Sequence, residues 1–530
     1  MIPFKPVEDV IEFFRQKAMQ GVDGLTYGDD GEKFGLWPGT QEWVLEKGWL
    51  RRFFQALTDN AEWLRMTLPG EFLSGHHPAG RVYLPAASYE EMMEWSLPAA
   101  AIPIYDELRE KLTSENLLER YRPFVRGGIW QSFLSKYPES NRIYRKMLRL
   151  SEEIDREASG RRGKLPKALD DARRELYRAQ CNCAYWHGLF GGLYLNYLRH
   201  ALYTHLLNAT NILDGMRGGE WARSGIMDLN DDLRNEAILE SRSLRVVVLP
   251  SAGGAVEEIS LKDRSFNLTN VLSRRREGYH ERLRAAAAKQ GGAQGGPKSI
   301  HDIVRAKESG LENFLVYDRF ERLSFLDHVV CNESCVERFQ HEEFEELGTL
   351  SRGVWDAKRK DQSGYGSIKL THEGHIRQGG DILPVLVEKS YTIHARNPVL
   401  SANYRFTNNS QLKIDALFAP ELNLSLLAAD DLKRRLVFPG TPERTEPFNR
   451  VLTAVGLTQF ELRDEWLNAS IFVQMEPICR LWHYPVETVS QSEDGFERTY
   501  QGSAFILVFP LVMEPGESAR FSIQLKEETR

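Results

Sequence analysis

Tyr27-Gly28-Asp29-Asp30-Gly31-Glu32-Lys33-Phe34-Gly35-Leu36-Trp37-Pro38-Gly39-Thr40 follows a short strand-like run and leads into Gln41-Glu42-Trp43. Thr40 there reads as a helix N-cap. Three carboxylates, Asp29, Asp30 and Glu32, fall within four residues, and Gly31 lets the backbone turn sharply between the last two. Because the C-terminal ends of parallel barrel strands carry catalytic groups, the spacing predicts a strand, a functional loop and a helix. Crowded like charges raise at least one carboxyl pKa, the condition a general acid needs near neutral pH. An acidic turn feeding a helix N-terminus meets the same pattern, since capping and dipole alone favour carboxylates there. Calcium fits poorly, because the six-position ligand pattern of an EF-hand loop is absent.

Outward from this stretch, helix-period segments alternate with short apolar runs from Val7 to about Ala209, the texture of α/β structure. Ser88-Tyr89-Glu90-Glu91 has capping-box spacing just after Val82-Tyr83-Leu84, which predicts a second strand-loop-helix unit. Ile143, Met147, Leu150 and Ile154 form one apolar stripe, and Leu195, Leu198, Leu202 and Leu206 another. Beyond about Arg242 the pattern becomes short β-rich runs: Arg245 to Leu249, Ser367 to Leu370, Val385 to Val387, Tyr391 to His394, Ala402 to Phe406, and Phe505 to Phe509. Such repetition predicts a large antiparallel sandwich. Ala285 to Pro297 is low in complexity and reads as a mobile surface insertion.

A chain of 530 residues has room for two or three domains. Its 42% hydrophobic and 27% charged residues are ordinary globular usage. A net charge of -7 supplies no basic field for phosphate backbones, so nucleic acid is a poor partner. Five cysteines are too few for a disulfide scaffold and point to a reducing compartment. Met1-Ile2-Pro3-Phe4-Lys5-Pro6 lacks a basic n-region, and no segment approaches ~18 uninterrupted apolar residues. The expectation is a cytoplasmic protein with no membrane partner. Eleven tryptophans suit sugar-stacking platforms and large cores equally well.

A second cluster, Ala179-Gln180-Cys181-Asn182-Cys183-Ala184-Tyr185-Trp186-His187-Gly188-Leu189-Phe190-Gly191-Gly192, mixes polar, aromatic and glycine residues as a ligand-facing loop does. Cys181 and Cys183 with His187 suggest zinc by residue type, but Cys-x-Cys lacks the usual two-to-four residue spacer and no second ligand pair is near. No metal and no cofactor are expected. Cys183 with His187 as nucleophile and base is a weaker reading, since spacing alone gives no geometry. Arg126-Gly127-Gly128-Ile129-Trp130 and Lys136-Tyr137-Pro138-Glu139-Ser140-Asn141 read as a structural helix entry, and His76-His77 as a surface turn. Cys331 and Cys335 stand at helical spacing as partly buried thiols.

Taken together, Asp-Asp-Gly-Glu-Lys-Phe-Gly-Leu-Trp-Pro-Gly-Thr, the stretch from Val82-Tyr83-Leu84-Pro85 to Glu94-Trp95-Ser96-Leu97-Pro98, Lys-Tyr-Pro-Glu-Ser-Asn and the Trp186-His187 cluster resemble glycoside hydrolase family 57, its 4-α-glucanotransferases and α-amylases. Pro250-Ser251-Ala252-Gly253-Gly254, Trp482-His483-Tyr484-Pro485 and Ser490 to Gly495 resemble the family's C-terminal sandwich. The resemblance implies α/β plus all-β architecture: the C-terminal part of an incomplete (β/α)7 barrel with a helical segment, then a large antiparallel β-sandwich. The corresponding divisions are 1–125 for the partial catalytic barrel, 126–215 for the helical region completing the cleft, and 216–530 for the sandwich.

The implied activity is α-1,4-glucan transfer by retaining double displacement, in which a Glu nucleophile and an Asp acid/base stand only ~5–5.5 Å apart. α-Amylase-type hydrolysis and non-catalytic glucan binding are the alternatives. By the motif match Asp30 is the acid/base, Glu32 and Trp37 lie beside it, and Trp186 and His187 belong to the loop closing the cleft. Cys183 stands where the best-known members carry an Asp that bonds sugar. The nucleophile is expected on an earlier strand than Ile2-Pro3-Phe4, which implies that this stretch is inactive alone. The implied partners are α-1,4-glucans and maltooligosaccharides, with a homodimer or a separate N-terminal fragment left open.

Overall fold

The computed structural model describes residues 2–37, 39–78, 80–84, 86, 88, 90–125, 128–159, 166–188, 190–288, 307–492 and 495–529. They divide into two compact units, with the break after Ala86. The first contains α1 (Val7–Met19), α2 (Trp49–Asp59) and α3 (Pro69–Gly75). Pro6 precedes α1, Glu8 and Asp9 occupy its first turn and Lys17 its last, so its charges complement the helix dipole. Ile2, Val7, Val10, Ile11, Trp49 and Leu57 make a small core. The Trp43 and Trp49 indoles donate to the Pro3 and Lys5 carbonyls at 2.8 and 2.7 Å, tying the start of the chain to α2 and the turn before it.

This unit corrects part of the sequence reading. Among the described residues no strand precedes Ala222, so the expected barrel strands are not seen. Val82, Tyr83 and Leu84 belong to no helix or strand and are strongly exposed. A strand is defined by its neighbours: without ladder partners, β-propensity leaves only a bare run. Thr40 stands at the N-cap position of a single wide turn, Gln41–Glu46, yet does not cap it. Its hydroxyl donates backwards to the Trp37 carbonyl at 2.6 Å. Tyr89, inside the expected capping box, lies outside the described residues. His76 and His77 are exposed, and His76 stacks on Phe72 with ring centres 3.9 Å apart.

The second unit opens with α4 (Glu90–Ser96), α5 (Ile102–Ser114), α6 (Leu118–Tyr121), α7 (Ser132–Lys136), α8 (Pro138–Ser159), α9 (Lys167–Arg178) and α10 (Asn196–Arg217). Ile143, Met147, Leu150 and Ile154 are the buried stripe of α8, packed with Leu169 and Leu176 of α9 and Leu202 and Leu206 of α10. Leu195 sits just before α10 in extended conformation, not within it.

Antiparallel sheet follows. β1 (Ala222–Met227), β2 (Glu236–Ser241), β3 (Leu244–Leu249), β4 (Ala255–Leu261) and β5 (Phe266–Asn267) pair in sequence order. After α11 (Tyr279–Ala288) come β6 (Leu326–Val330), α12 (Val336–Gln340), β7 (Asp356–Arg359), β8 (Tyr365–Gln378), β9 (Asp381–His394), β10 (Val399–Asn408), β11 (Ile414–Leu424), β12 (Arg434–Phe438), β13 (Arg444–Glu446), β14 (Leu452–Asp464), β15 (Ala469–Ser492), β16 (Gly495–Met513) and β17 (Ser518–Thr529). One path runs β13-β12-β14-β15-β17-β10-β9-β8-β7, and a branch runs β15-β16-β11-β6. β15 makes the fork: residues 469–476 pair with β17 and residues 480–492 with β16. Strands that switch layers in this way form the corners of a sandwich. Its core draws on both sheets, with Val246, Val256, Val387, Phe406, Phe418, Phe509 and Phe521 all buried.

Two sequence readings need adjustment here. Val385 to Val387 and Tyr391 to His394 are one strand, β9, rather than two. Cys331 lies in the turn after β6 and Cys335 at the N-cap of α12, so they do not share a helix, although both are half-buried. The expected insertion begins inside α11, and 289–297 lie outside the described residues.

Candidate active site

In the first unit, Gly31 to Phe34 form a single 3-10 turn with Asp30 at its N-cap. The Asp29 carboxylate is fully engaged: it accepts from the Tyr27 hydroxyl at 3.2 Å, from the Asp30 amide at 2.9 Å and from the Lys33 ammonium. Lys33 also lies 3.5 Å from Asp30 and 5.1 Å from the centre of the Trp37 ring, which stacks on Phe4. Partial burial pushes the Asp29 carboxyl up, but the Lys33 ammonium and the Asp30 amide outweigh it and hold the group below its usual range. The crowding expected to raise a carboxyl pKa is thus reversed at Asp29, because a cation sits among the carboxylates. Partial burial and the Asp29 charge push the Tyr27 phenol up to about 12. The Asp30 side chain is 62% exposed, so of the two aspartates it is the one open to an incoming molecule. Glu32 is exposed, and its carbonyl accepts from the Leu36 and Trp37 amides, closing the turn.

In the second unit the loop through Trp186 and His187 is built from α4, α7, α8 and the run before α11. Trp186 packs against Trp95 of α4 and Phe133 of α7 with ring centres 5.6 and 5.5 Å apart. A Cβ on Gly188 would lie 2.7 Å from the Trp95 ring, and one on Gly192, at φ +55°, 2.3 Å from the Trp186 carbonyl. Only glycine fits these two positions. The buried Trp186 indole N–H has no acceptor among the described residues. His187 is buried; its Nδ1–H donates to the Gly191 carbonyl at 2.6 Å and its Nε2 accepts from the Tyr279 hydroxyl at 2.9 Å. Cys183 is exposed, its thiol 3.5 Å from Asn182 Oδ1, and none of the cysteines is in a disulfide. Among the described residues no three His, Cys, Asp or Glu side chains converge as metal ligands.

Beneath the loop lies a buried carboxylate that sequence reasoning missed. Glu277 accepts from the Tyr137 and Tyr194 hydroxyls at 2.7 and 2.8 Å and pairs with the Lys136 ammonium at 2.9 Å. Lys136 also donates to the Trp95 carbonyl at 2.9 Å. Burial alone would raise the Glu277 pKa; Lys136 and the donors around it hold it below the usual range. Lys136 and Tyr137 therefore do more than open a helix. Glu139 pairs with Arg275 at 2.9 Å and the Ser140 hydroxyl reaches the Tyr185 carbonyl, so this stretch joins the loop to the Arg-rich run before α11. The only sequence signal for Glu277 is its place in Arg274-Arg275-Arg276-Glu277, which reads as a solvated charge run.

Burial pushes His187 down to about 4, so it is neutral at ordinary pH. A histidine whose folded pKa lies below its unfolded value contributes stability that is complete above the unfolded value and lost as pH falls toward the folded one. The loop should loosen between roughly pH 6.5 and 4, with about 3 kcal/mol at stake for this side chain. Tryptophan fluorescence during acid titration checks it: His187→Asn should flatten that part of the profile, and an unchanged profile would count against it.

No helix of the described residues is long and apolar enough to cross a membrane. Residues 228–524 match the family model for the α-amylase/4-α-glucanotransferase C-terminal domain, and residues 128–213 match that for the middle domain. The chain belongs to the α-amylase/4-α-glucanotransferase family, glycoside hydrolase family 57. It is 36% identical over 512 residues to an α-amylase of Pyrococcus abyssi, covering 96% of this chain and 70% of that one. It is 34% identical over 532 residues to a 4-α-glucanotransferase of Thermococcus kodakarensis, covering 99% and 72%. The crystal structure of the 4-α-glucanotransferase of Thermococcus litoralis superposes with a TM-score of 0.76 at 31% identity, over 99% of this chain and 71% of that one.

Proposed function

We propose that this chain acts in α-1,4-glucan transfer by a retaining double displacement, with Asp30 as acid/base. Glu32 and Trp37 attend Asp30, and Cys183, Trp186 and His187 belong to the substrate-binding loop, the buried His187 through the hydrogen bonds that fix it to Gly191 and Tyr279. The observation that carries the reading is the 34% identity to a 4-α-glucanotransferase over nearly the whole chain. The geometry of the Asp29–Trp37 turn supports the choice of aspartate, because Asp29 is committed to Lys33 and Tyr27 while Asp30 is open. Residues 1–125 belong to the catalytic region, 126–215 complete the cleft and 216–530 form the sandwich. A reducing, cytoplasmic setting is consistent with five thiols outside any disulfide.

Retaining chemistry needs a carboxylate on the face opposite the departing sugar. In this reading the nucleophile is not among the 530 residues. The stretch expressed alone should then leave maltotriose unchanged, and robust turnover would require a substitute nucleophile near Asp30. The wider test is product analysis on maltotriose with these residues fused behind the part of the Thermococcus litoralis enzyme that precedes the matched stretch. Transfer yields maltooligosaccharides longer than maltotriose with retained α-configuration. Products only shorter than maltotriose would favour the α-amylase reading, to which the 36% identity to a Pyrococcus abyssi α-amylase gives weight. Inverted anomers would overturn the retaining mechanism.

A further inference from the structure

Trp466 lies in the turn between β14 and β15 and is 62% exposed. An exposed aromatic ring is unremarkable when it is loose, but this one is fixed from two sides. The buried Asp464 carboxylate accepts from the Trp466 and Leu467 amides at 2.8 and 3.0 Å and from Arg434 Nε at 2.9 Å. The indole N–H donates to Asp431 Oδ2 at 2.7 Å. Asp431 is itself held by the Lys433 amide at 2.9 Å and the Arg434 guanidinium at 3.0 Å. The Lys433 ammonium lies 4.5 Å from the ring centre, covering part of one face. Glu465, the residue before Trp466 in the chain, pairs with Arg435 at 2.6 Å, and Asp430, next to Asp431, is exposed.

This arrangement has the parts that a sugar platform needs. A rigid, amphipathic ring offers contact area at little entropic cost, because its orientation is already fixed. The Lys433 ammonium and the Asp431 carboxylate at the ring can donate to and accept from neighbouring hydroxyls. We propose that Trp466, with the Asp431 carboxylate and the Lys433 ammonium at its ring, is a non-catalytic surface site that holds an α-1,4-glucan chain. The apolar faces of glucose rings stack on the indole, and these two groups take their hydroxyls. One such ring binds weakly, but a polymer presents many repeats, so its value is to keep a long chain near the protein. The inference rests on reading the protein as an α-glucan enzyme, and not on the acid/base assignment.

The test is native affinity electrophoresis of the full chain in gels containing soluble starch, with the Trp466→Ala, Trp466→Phe, Asp30→Asn and Trp186→Ala variants alongside. Starch should retard the parent, Trp466→Ala should weaken the apparent affinity by about fivefold or more, and Trp466→Phe should fall between. Asp30→Asn reads what the catalytic site adds: a loss confined to it, with Trp466→Ala retarded like the parent, overturns the proposal. An unchanged melting temperature separates lost binding from lost folding, and Trp466→Phe keeps the test open if the alanine variant is unstable. The proposal is overturned if starch does not retard the parent or retards Trp466→Ala equally. It is also overturned if only Trp186→Ala loses retention, or if dextran retards the protein as strongly with the same dependence on Trp466. Failure of the functional reading is a different result: no transfer products from maltotriose with the fusion to the Thermococcus litoralis part, with Trp466-dependent retention of the chain intact.

Discussion

Glu277→Ala will destabilise the second unit by about 3–5 kcal/mol, the usual cost of removing one partner of a buried ion pair. The substitution leaves the Lys136 ammonium in a site where its side chain is 10% exposed, and it strips the Tyr137 and Tyr194 hydroxyls of their acceptor. Urea unfolding followed by tryptophan emission reads the loss directly, since Trp95, Trp130 and Trp186 pack around this cluster. The double variant Lys136→Met/Glu277→Leu should recover part of it, because with both charges gone no uncompensated ion remains. A single-variant loss below about 1 kcal/mol would mean that water reaches the site and replaces the missing carboxylate.

Asp30→Asn is expected to slow maltotriose turnover by about 10²- to 10⁴-fold in the fusion that restores transfer, the range typical of losing a positioned general acid. An amide cannot protonate the glycosidic oxygen, nor deprotonate the acceptor in the second step. The defect should shrink on substrates with activated leaving groups, which depart without a proton. Asp29→Asn is the decisive control. Its carboxylate holds Lys33 and Tyr27, so its loss should disturb the turn and raise KM more than it lowers kcat. If Asp29→Asn gives the larger fall in kcat and spares KM, the two aspartates exchange roles.

How far the sequence revealed the fold depended on whether the forces were local. The α8 stripe, Ile143 to Ile154, is legible because helical period alone places those residues on one face. The run at 402–406 falls inside β10 for the same reason at period two, and 245–249 and 505–509 fall inside β3 and β16 as nearly continuous apolar runs buried on both faces. β9 was split because Lys389 breaks its apolar alternation. That lysine points inward all the same, paired at 2.8 Å with the buried Asp327, a residue 62 positions earlier. Glu277 was illegible on the same principle, since its partners at 136, 137 and 194 are distant in sequence. Val82 to Leu84 erred in the other direction: local propensity was strong, but no strand among the described residues pairs with them and they are strongly exposed.

The fork at β15 has a mechanical meaning. Its first part is sewn to β17 and its second to β16, while β14 runs alongside from 469 to 483. The two layers of the sandwich are thus joined through one continuous backbone as well as through their packed faces. Sliding one layer over the other would stretch covalent bonds, so the soft deformation left to this body is torsion about β15. A load applied at the Trp466 turn, where β14 passes into β15, would enter the molecule along that tie-bar and reach both layers together.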